Sequence, residues 1–176
     1  YLDGSGGAAV SNCGHNHPDI VSAICQQMDT VMDTHNLFFI TDSQQQLAAE
    51  IAQWSEGHFP KSIFCSSGSE AVEVAIKMAR QYHVERGDTE RYQVISREKS
   101  YHGNTIAALS LSDVARGPMF KPYFLSSSYT PAYFPYRYQR EDETADEYAL
   151  RCANALEDNI QQLGADTVSA FIVETV

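Results

Sequence analysis

Two serines flank a glycine in the turn Ser67-Gly68-Ser69, which stands between a short apolar stretch and a helical pattern that starts at about Ala71. Glycine lets the backbone approach a ligand closely, and the first amides of a helix together with serine hydroxyls supply hydrogen-bond donors for an anion. The spacing matches neither a Walker A loop nor the GxGxxG of dinucleotide folds. The turn therefore indicates phosphate binding of another kind. The alternative is an ordinary strand-to-helix turn in which Ser69 caps the helix.

Tyr101, His102 and Gly103 stand in the equivalent turn of the next strand and helix. Ligands of open α/β sheets bind at the edge where the carboxyl ends of the strands meet, so we expect both turns to converge there. Tyr101 could stack on a flat aromatic ring, with His102 orienting that ring and Gly103 permitting close approach. The alternative is an aromatic side chain that simply packs in a loop.

Glu174 is a third candidate, because it directly follows the apolar run Phe171-Ile172-Val173. A carboxylate at the carboxyl end of a buried strand can face the same crevice as the two turns. The alternative is a solvated strand end.

His15 and His17 form an HxH pair just before Pro18. Such a pair can bind a metal ion, but no third candidate ligand stands nearby, so the pattern favours helix capping and we expect no metal site.

These candidates need elements that bring them together, and hydrophobic periodicity predicts alternating helices and strands. Helices are predicted near 18–33, from Asp42 or Ser43 to Gly57, from about Ala71 to Tyr82, from Thr105 to about Leu111 and over Glu141–Gln162. Strands are predicted at Ser62–Cys65, Tyr92–Ser96 and Val168–Val173. A long ordered loop is predicted at Gly117–Arg140. Strand, turn and helix in series indicate an α/β fold with a mostly parallel sheet and flanking helices.

The charge balance limits the partners. The 176 residues include 12 Lys and Arg against 23 Asp and Glu, which gives a net charge of −11. Such a surface argues against nucleic acid and against an anionic membrane as partners, since both require concentrated positive charge. No apolar run approaches the roughly 18 residues that a membrane span needs.

Taken together, the motifs resemble those of the class III aminotransferases, which are fold type I enzymes that use pyridoxal phosphate. The matching runs are Tyr1-Leu2-Asp3-Gly4-Ser5-Gly6-Gly7, Gly14-His15-Asn16-His17-Pro18, Ser66-Ser67-Gly68-Ser69-Glu70-Ala71, Ser100-Tyr101-His102-Gly103-Asn104-Thr105 and Ala170-Phe171-Ile172-Val173-Glu174. They follow the family's order and spacing across nearly the whole chain. The resemblance implies an incomplete fold type I aminotransferase-like α/β fold. In this fold, residues 1–57 form an N-terminal segment that comprises part of the small domain and linking helices. Residues 58–176 form the N-terminal part of the large cofactor-binding domain.

The resemblance also implies roles for individual residues. Ser67–Ser69 corresponds to the family's phosphate cup, in which Gly68 and Ser69 are the matching pair. Tyr101 matches the aromatic residue that stacks on the pyridine ring, and His102 and Gly103 complete that turn. Glu174 matches a strand-end glutamate that lies in the active site and, in some members, handles the charge of the substrate.

One position departs from the acetylornithine-type members of the family. In those members an arginine follows the aromatic-His-Gly run and grips the substrate carboxylate, whereas Asn104 stands here. The departure favours the ω-transaminase-like branch, which implies transfer of an amino group from an amine or amino acid to a keto acid. The family also implies a homodimer in the full-length form.

In this family a lysine forms the Schiff base with the cofactor, and an aspartate pairs with the pyridine nitrogen. The chain has four lysines, Lys61, Lys77, Lys99 and Lys121, and none stands in the context of the reactive one. We therefore expect both residues to lie C-terminal to Val176, and this segment alone to be inactive.

The leading interpretation is thus the N-terminal portion of a pyridoxal-phosphate-dependent aminotransferase. We expect it in the cytoplasm, with a mitochondrial location left open because the N-terminus is missing. A second hypothesis is a truncated, non-catalytic homologue that acts as a partner subunit or is a remnant, with the stretch His35-Asn36-Leu37-Phe38-Phe39 as an interface. A third is a phosphate-binding α/β module unrelated to pyridoxal phosphate.

Overall fold

The structure is a computed structural model that describes residues 1–35, 37–115 and 117–174. The chain divides into two compact units, Tyr1–Ser62 and Ile63–Val176. Among the described residues, no helix combines the length and the apolar character that crossing a membrane would require.

The first unit holds a single turn and two longer helices: α1 (Gly6–Ala9), α2 (Pro18–Thr30) and α3 (Asp42–Trp54). Pro18 begins α2 as predicted, because its fixed φ suits the first turn and it has no amide to leave unpaired. Thr41, rather than Asp42 or Ser43, caps α3, since its Oγ1 accepts a hydrogen bond from the Gln44 amide at 3.3 Å.

The two histidines before α2 do not act as side-chain caps. His17 occupies the capping position, but its side chain accepts no capping hydrogen bond, so the capping prediction is wrong. Efficient caps carry a short side chain with an oxygen acceptor, which histidine lacks. The Nε2 atom of His15 lies 3.6 Å from Oδ2 of Asp3. No group of three or more potential metal-ligating side chains occurs within the described ranges.

The predicted interface stretch, residues 35–39, lies between α2 and α3 in the sequence. Asn36 falls outside the described residues, and Leu37, Phe38 and Phe39 are exposed.

The second unit is the α/β part of the chain. Its elements are α4 (Gly68–Glu85), β1 (Gln93–Arg97), α5 (Ile106–Ser110), α6 (Gly117–Phe120), a 3₁₀ turn (Lys121–Tyr123), β2 (Ser127–Thr130), α7 (Pro135–Tyr138), α8 (Ala145–Leu163), a second 3₁₀ turn (Ala165–Thr167) and β3 (Val168–Phe171).

The three described strands form one sheet in the order β2-β1-β3, and β1 pairs with both neighbours in parallel. Ile95 is opposite Ser128 on one side and Phe171 on the other. As the central strand, β1 is buried at Val94, Ile95 and Ser96, which is typical of a parallel sheet covered by helices. The predicted α/β fold with a mostly parallel sheet and flanking helices is confirmed.

Tyr148 on α8 anchors the helix to the segment after β2. Its side chain is 1% exposed, and its hydroxyl accepts a hydrogen bond from the Phe134 amide at 2.9 Å and donates one to the Ala132 carbonyl at 3.2 Å. The buried hydroxyl therefore both accepts and donates a hydrogen bond, and a buried tyrosine hydroxyl usually has such a partner.

Ser62–Cys65 is not a strand, although its apolar sequence predicted one. Ile63 is 64% exposed and Cys65 is exposed as well. A strand needs a partner backbone to complete its hydrogen bonds, and the segment pairs with no strand in the described part of the chain.

The prediction of a loop over Gly117–Arg140 is wrong in part, because the segment contains β2 and three short helical turns. The β2 strand has the polar sequence Ser-Ser-Tyr-Thr, and only Thr130 is fully buried in it. Such a strand shows no apolar alternation that a sequence pattern could detect.

The last helix begins four residues later than predicted, at Ala145 instead of Glu141. Thr144 and Glu147 form a capping box: the Glu147 amide donates to Thr144 Oγ1 at 3.3 Å, and the Thr144 amide donates to Glu147 Oε2 at 2.7 Å. The preceding acidic run is therefore not the helix start. Its last residue, Glu143, accepts two hydrogen bonds from the Arg151 guanidinium, at 2.8 and 2.9 Å.

Candidate functional site

The first candidate turn is the start of α4. Ser67 occupies the capping position, and its Oγ accepts a hydrogen bond from the Glu70 amide at 3.2 Å. The carboxylate of Glu70 turns back and accepts the Ser66 amide at 2.8 Å. This reciprocal pair fixes the direction of the helix start, and the cap is Ser67 rather than Ser69.

The next two amides, of Gly68 and Ser69, donate to no protein acceptor within the described residues. They belong to the set of amides that every helix leaves unpaired at its N-terminus, where the helix dipole favours negative charge. A Cβ built on Gly68 would meet no atom within 4 Å, so there is open space beside this turn. Two unpaired donors next to open space can bind a phosphate group.

The second turn follows β1, and hydrogen bonds hold it at Ser100 and His102. Ser100 is 3% exposed, and its Oγ donates to the carbonyl of Arg97. The amide of His102 donates to Ser112 Oγ at 2.8 Å. Tyr101 between them is 46% exposed, so its ring is not packed into the core.

The two turns are in direct contact. The Asn104 amide donates to Ser69 Oγ at 2.9 Å. Gly103 has φ +143°, and a Cβ built there would lie 2.7 Å from Ser69 Oγ and 2.8 Å from Ala108 Cβ. Only glycine permits this approach. The turn after β1 and the start of α4 are therefore in direct contact.

A second hydrogen bond joins the same two helices one turn further along. Thr105, which precedes α5, donates through its hydroxyl to Glu73 Oε1 on α4 at 2.5 Å. The two residues are 32 positions apart, so no local pattern in the sequence indicates this contact.

The charge of Glu174 acts on the imidazole of His102. Burial lowers the pKa of His102 below its usual value, and the negative charge of Glu174 partly opposes that shift. The Nε2 atom of His102 is buried and has no hydrogen-bond partner among the described residues. Glu174 itself is exposed beyond the end of β3. The hydrogen bond from the Asn104 amide to Ser69 Oγ thus joins the segment after β1 to the start of α4. The charge of Glu174 links the segment after β3 to the same turn through its effect on the pKa of His102.

Lys99 is the lysine nearest in sequence to Tyr101, and its side chain has another partner. Its Nζ lies 3.8 Å from Asp113 Oδ2, and its amide donates to the same oxygen at 3.0 Å. The backbone at Lys99 is left-handed, with φ +62°. The side chain thus fastens the loop after β1 to the segment after α5.

The residues fit the cofactor that the resemblance implies. A phosphate needs unpaired donors, which Gly68 and Ser69 provide, and Ser69 Oγ keeps its own proton free to donate because it only accepts from Asn104. An aromatic ring needs an accessible flat side chain, which Tyr101 provides. The contact between the turns joins the segments that carry these donors and this ring.

The chain is similar in sequence to known proteins. The family model for aminotransferase class-III matches residues 1–176. An uncharacterized aminotransferase of Schizosaccharomyces pombe is 36% identical over 179 residues, which cover 99% of this chain and 39% of that protein. The acetylornithine aminotransferase of Myxococcus xanthus is 38% identical over 116 residues, which cover 66% of this chain and 28% of that enzyme.

Solved structures show the same similarity in three dimensions. An (S)-enantioselective ω-transaminase from Thermomicrobium roseum matches with a TM-score of 0.83 and 34% identity, over 97% of this chain and 38% of that one. A PLP-bound amine transaminase from an uncultivated Pseudomonas species matches with a TM-score of 0.85 and 28% identity, over 98% of this chain and 39% of that one.

The chain spans 39% of the length of the S. pombe relative. The fold type I aminotransferase-like fold is confirmed, as is pyridoxal phosphate as the cofactor of the family. An α/β module unrelated to pyridoxal phosphate, the third hypothesis, is wrong. The chain belongs to the class III aminotransferase family.

Proposed function

We propose that this chain forms the phosphate-binding and ring-stacking half of the pyridoxal phosphate site in an aminotransferase. The reaction would move an amino group from an amine or amino acid to a keto acid. The observation that carries the proposal is the hydrogen bond from the Asn104 amide to Ser69 Oγ, because it joins the helix start and the aromatic turn into one surface.

Ser67–Ser69 would hold the phosphate. The amides of Gly68 and Ser69 supply two donors at the positive end of α4, and the hydroxyls of Ser67 and Ser69 can add two more. A hydroxyl that accepts from one amide still has a proton to donate, which is the case for both serines. The Glu70 carboxylate accepts a hydrogen bond from the Ser66 amide, so its charge is partly satisfied before an anion arrives.

Tyr101–Gly103 would position the ring. Tyr101 presents an exposed aromatic face, and the hydrogen bonds around it fix the backbone on which it stands. Gly103 lets this turn approach Ser69, so the ring-binding side chain and the phosphate-binding turn belong to one site. When bound, pyridoxal phosphate supplies the electron sink on which amino-group transfer depends.

Glu174 would serve the substrate side of the site. Its carboxylate is exposed, and it is near enough to His102 to raise the pKa of that imidazole against the effect of burial. A fixed negative charge at this edge would attract a substrate ammonium group and repel a second carboxylate. This charge and the absence of an arginine at position 104 together favour an amine or a simple amino acid as donor.

The reactive lysine of the family is not assigned to this chain. Lys99 forms an ion pair with Asp113, and Lys77 lies in the middle of α4 rather than at its start. We propose that the reactive lysine and the aspartate for the ring nitrogen belong to a part of the protein outside these residues.

We further propose that 1–57 contributes to a small domain and 58–176 to the large cofactor-binding domain, in a homodimer. The division of the chain into compact units at Ser62 and Ile63 supports a boundary in this region.

The experiment is an amino-transfer assay on the full gene product with and without added pyridoxal phosphate. A panel of amines and amino acids is supplied with pyruvate as acceptor, and alanine formation is measured. We expect cofactor-dependent alanine formation. Cofactor binding without transfer to any acceptor would favour the non-catalytic partner subunit, and absence of both would contradict the proposed function.

A further inference from the structure

Two residues after α5, Ser112 and Asp113, are hydrogen-bonded to the turn that carries Tyr101. The Asp113 amide donates to the Ser100 carbonyl at 3.0 Å, and the Lys99 amide donates to Asp113 Oδ2 at 3.0 Å. The His102 amide donates to Ser112 Oγ at 2.8 Å. Three backbone groups of the turn, at Lys99, Ser100 and His102, are therefore bonded to Ser112 and Asp113.

Ser112 is the side chain in this segment that reaches the centre of the turn. It is 3% exposed, and its hydroxyl accepts from His102 while donating to the Ala108 carbonyl at 2.9 Å. Ala108 is also the residue whose Cβ would meet a Cβ at position 103. Ser112 therefore sets the distance between α5 and the backbone of the turn, at the level of His102 and Gly103.

We propose that Ser112 is a positioning residue for the cofactor ring, acting through the His102 amide on the orientation of Tyr101. The inference rests on the proposed function. The partly buried amide of His102 would be driven to find another acceptor, and the turn would move or gain freedom. Freedom gained in the unbound protein is lost again on binding, which weakens affinity without removing any contact to the ligand.

Ser110 offers a matched control two residues earlier. It is fully buried, and its hydroxyl donates to the Ala107 carbonyl within the same helix at 2.6 Å, just as Ser112 donates to Ala108. Alanine at either position removes one hydroxyl and one hydrogen bond to the helix. Only at Ser112 does it also remove the acceptor of the His102 amide.

The experiment compares Ser112→Ala, Ser112→Thr and Ser110→Ala in the full gene product. Three quantities are measured: the Kd of pyridoxal phosphate by equilibrium dialysis, the circular dichroism of the bound cofactor in the visible range, and the melting temperature of the cofactor-free protein. We expect Ser112→Ala to weaken binding about tenfold and to change the dichroism band, since one buried hydrogen bond is at stake. Ser112→Thr keeps the hydroxyl and should retain both signals.

Ser110→Ala should lower the melting temperature but leave the Kd and the dichroism band unchanged. Equal Kd values and equal bands in Ser112→Ala and Ser110→Ala would overturn the positioning role. If Ser112→Ala does not fold, Ser112→Cys and Ser110→Cys replace the pair, because a thiol has nearly the same shape and is a weak acceptor. A wild-type protein that binds no pyridoxal phosphate would overturn the proposed function, and the positioning role with it.

Discussion

The Asn104 amide donates a hydrogen bond to Ser69 Oγ across 35 positions of sequence. The bond consumes one lone pair of the hydroxyl and leaves its proton free, so Ser69 can join two turns and still donate to an anion. The backbone amide, rather than the Asn104 side chain, makes this contact. Replacement of Asn104 by residues other than proline is therefore compatible with the joined turns.

Gly103→Ala should disrupt the site more than any other single methyl group. The new Cβ would lie 2.7 Å from Ser69 Oγ and 2.8 Å from Ala108 Cβ, at a φ of +143° that alanine rarely adopts. Overpacking of this kind costs about 1–3 kcal/mol, so both the free energy of unfolding and the affinity for pyridoxal phosphate should fall. Chemical denaturation and equilibrium dialysis measure the two. Gly4→Ala is the control, because a Cβ at Gly4 would meet nothing within 4 Å.

If Gly103→Ala binds the cofactor as tightly as Gly4→Ala does, the close approach of the two turns is not needed for binding.

The pKa of Glu143 gives a pH-dependent prediction. The Arg151 guanidinium, through its hydrogen bonds, lowers the pKa of this carboxyl from 4.5 to about 2. Because the folded-state pKa is below the ordinary one, the resulting stability is fully present above pH 4.5 and is lost as pH falls towards 2. Glu143→Gln should lower the melting temperature by a few degrees at neutral pH, and the difference from wild type should shrink in acid.

Glu141→Gln is the control for that series, since Glu141 is exposed two residues away. Melting curves of the three proteins from pH 7 to pH 3 make the comparison. A difference between Glu143→Gln and wild type that stays constant over this range would mean that the ion pair is not its source.

His102 and Glu174 give a prediction about coupling. Burial lowers the pKa of His102 from 6.5, and the Glu174 carboxylate raises it part of the way back. Glu174→Gln removes the negative charge, so the pKa of His102 should fall further. Titration of the imidazole proton by NMR measures the shift, and the missing signal in His102→Gln assigns it. Glu157→Gln, an exposed carboxylate on α8, should leave the titration unchanged.

The same depressed pKa has a consequence for stability. The unfolded chain binds a proton at higher pH than the folded one, so the contribution of His102 is complete above pH 6.5 and declines as pH falls through the folded-state pKa. An unaltered His102 titration in Glu174→Gln would contradict the closeness of the two residues.

The sequence was sufficient where local chemistry decides the structure. Pro18 began its helix as predicted, and the two candidate turns lie after β1 and at the start of α4. These signals come from backbone conformation and from capping, which depend on a few neighbouring residues.

The sequence was insufficient where distant residues decide. Ser62–Cys65 has the composition of a strand but lacks a pairing partner in the described chain, whereas polar β2 is a strand because β1 lies beside it. Ser112 carries no motif, and its role follows from a hydrogen bond to a residue ten positions away. Tertiary context overrides local propensity in both cases.

The most direct test of the account is the Kd of pyridoxal phosphate for the full gene product and for Ser69→Ala, Tyr101→Ala and Tyr82→Ala. Loss of a donor to the phosphate should weaken binding about ten- to hundredfold in Ser69→Ala, and loss of the stacking ring should weaken it about tenfold in Tyr101→Ala. Tyr82 is an exposed tyrosine on α4, 57% accessible, and its replacement should leave the Kd unchanged. Wild-type affinity in both Ser69→Ala and Tyr101→Ala would contradict the claim that these two turns form one cofactor site.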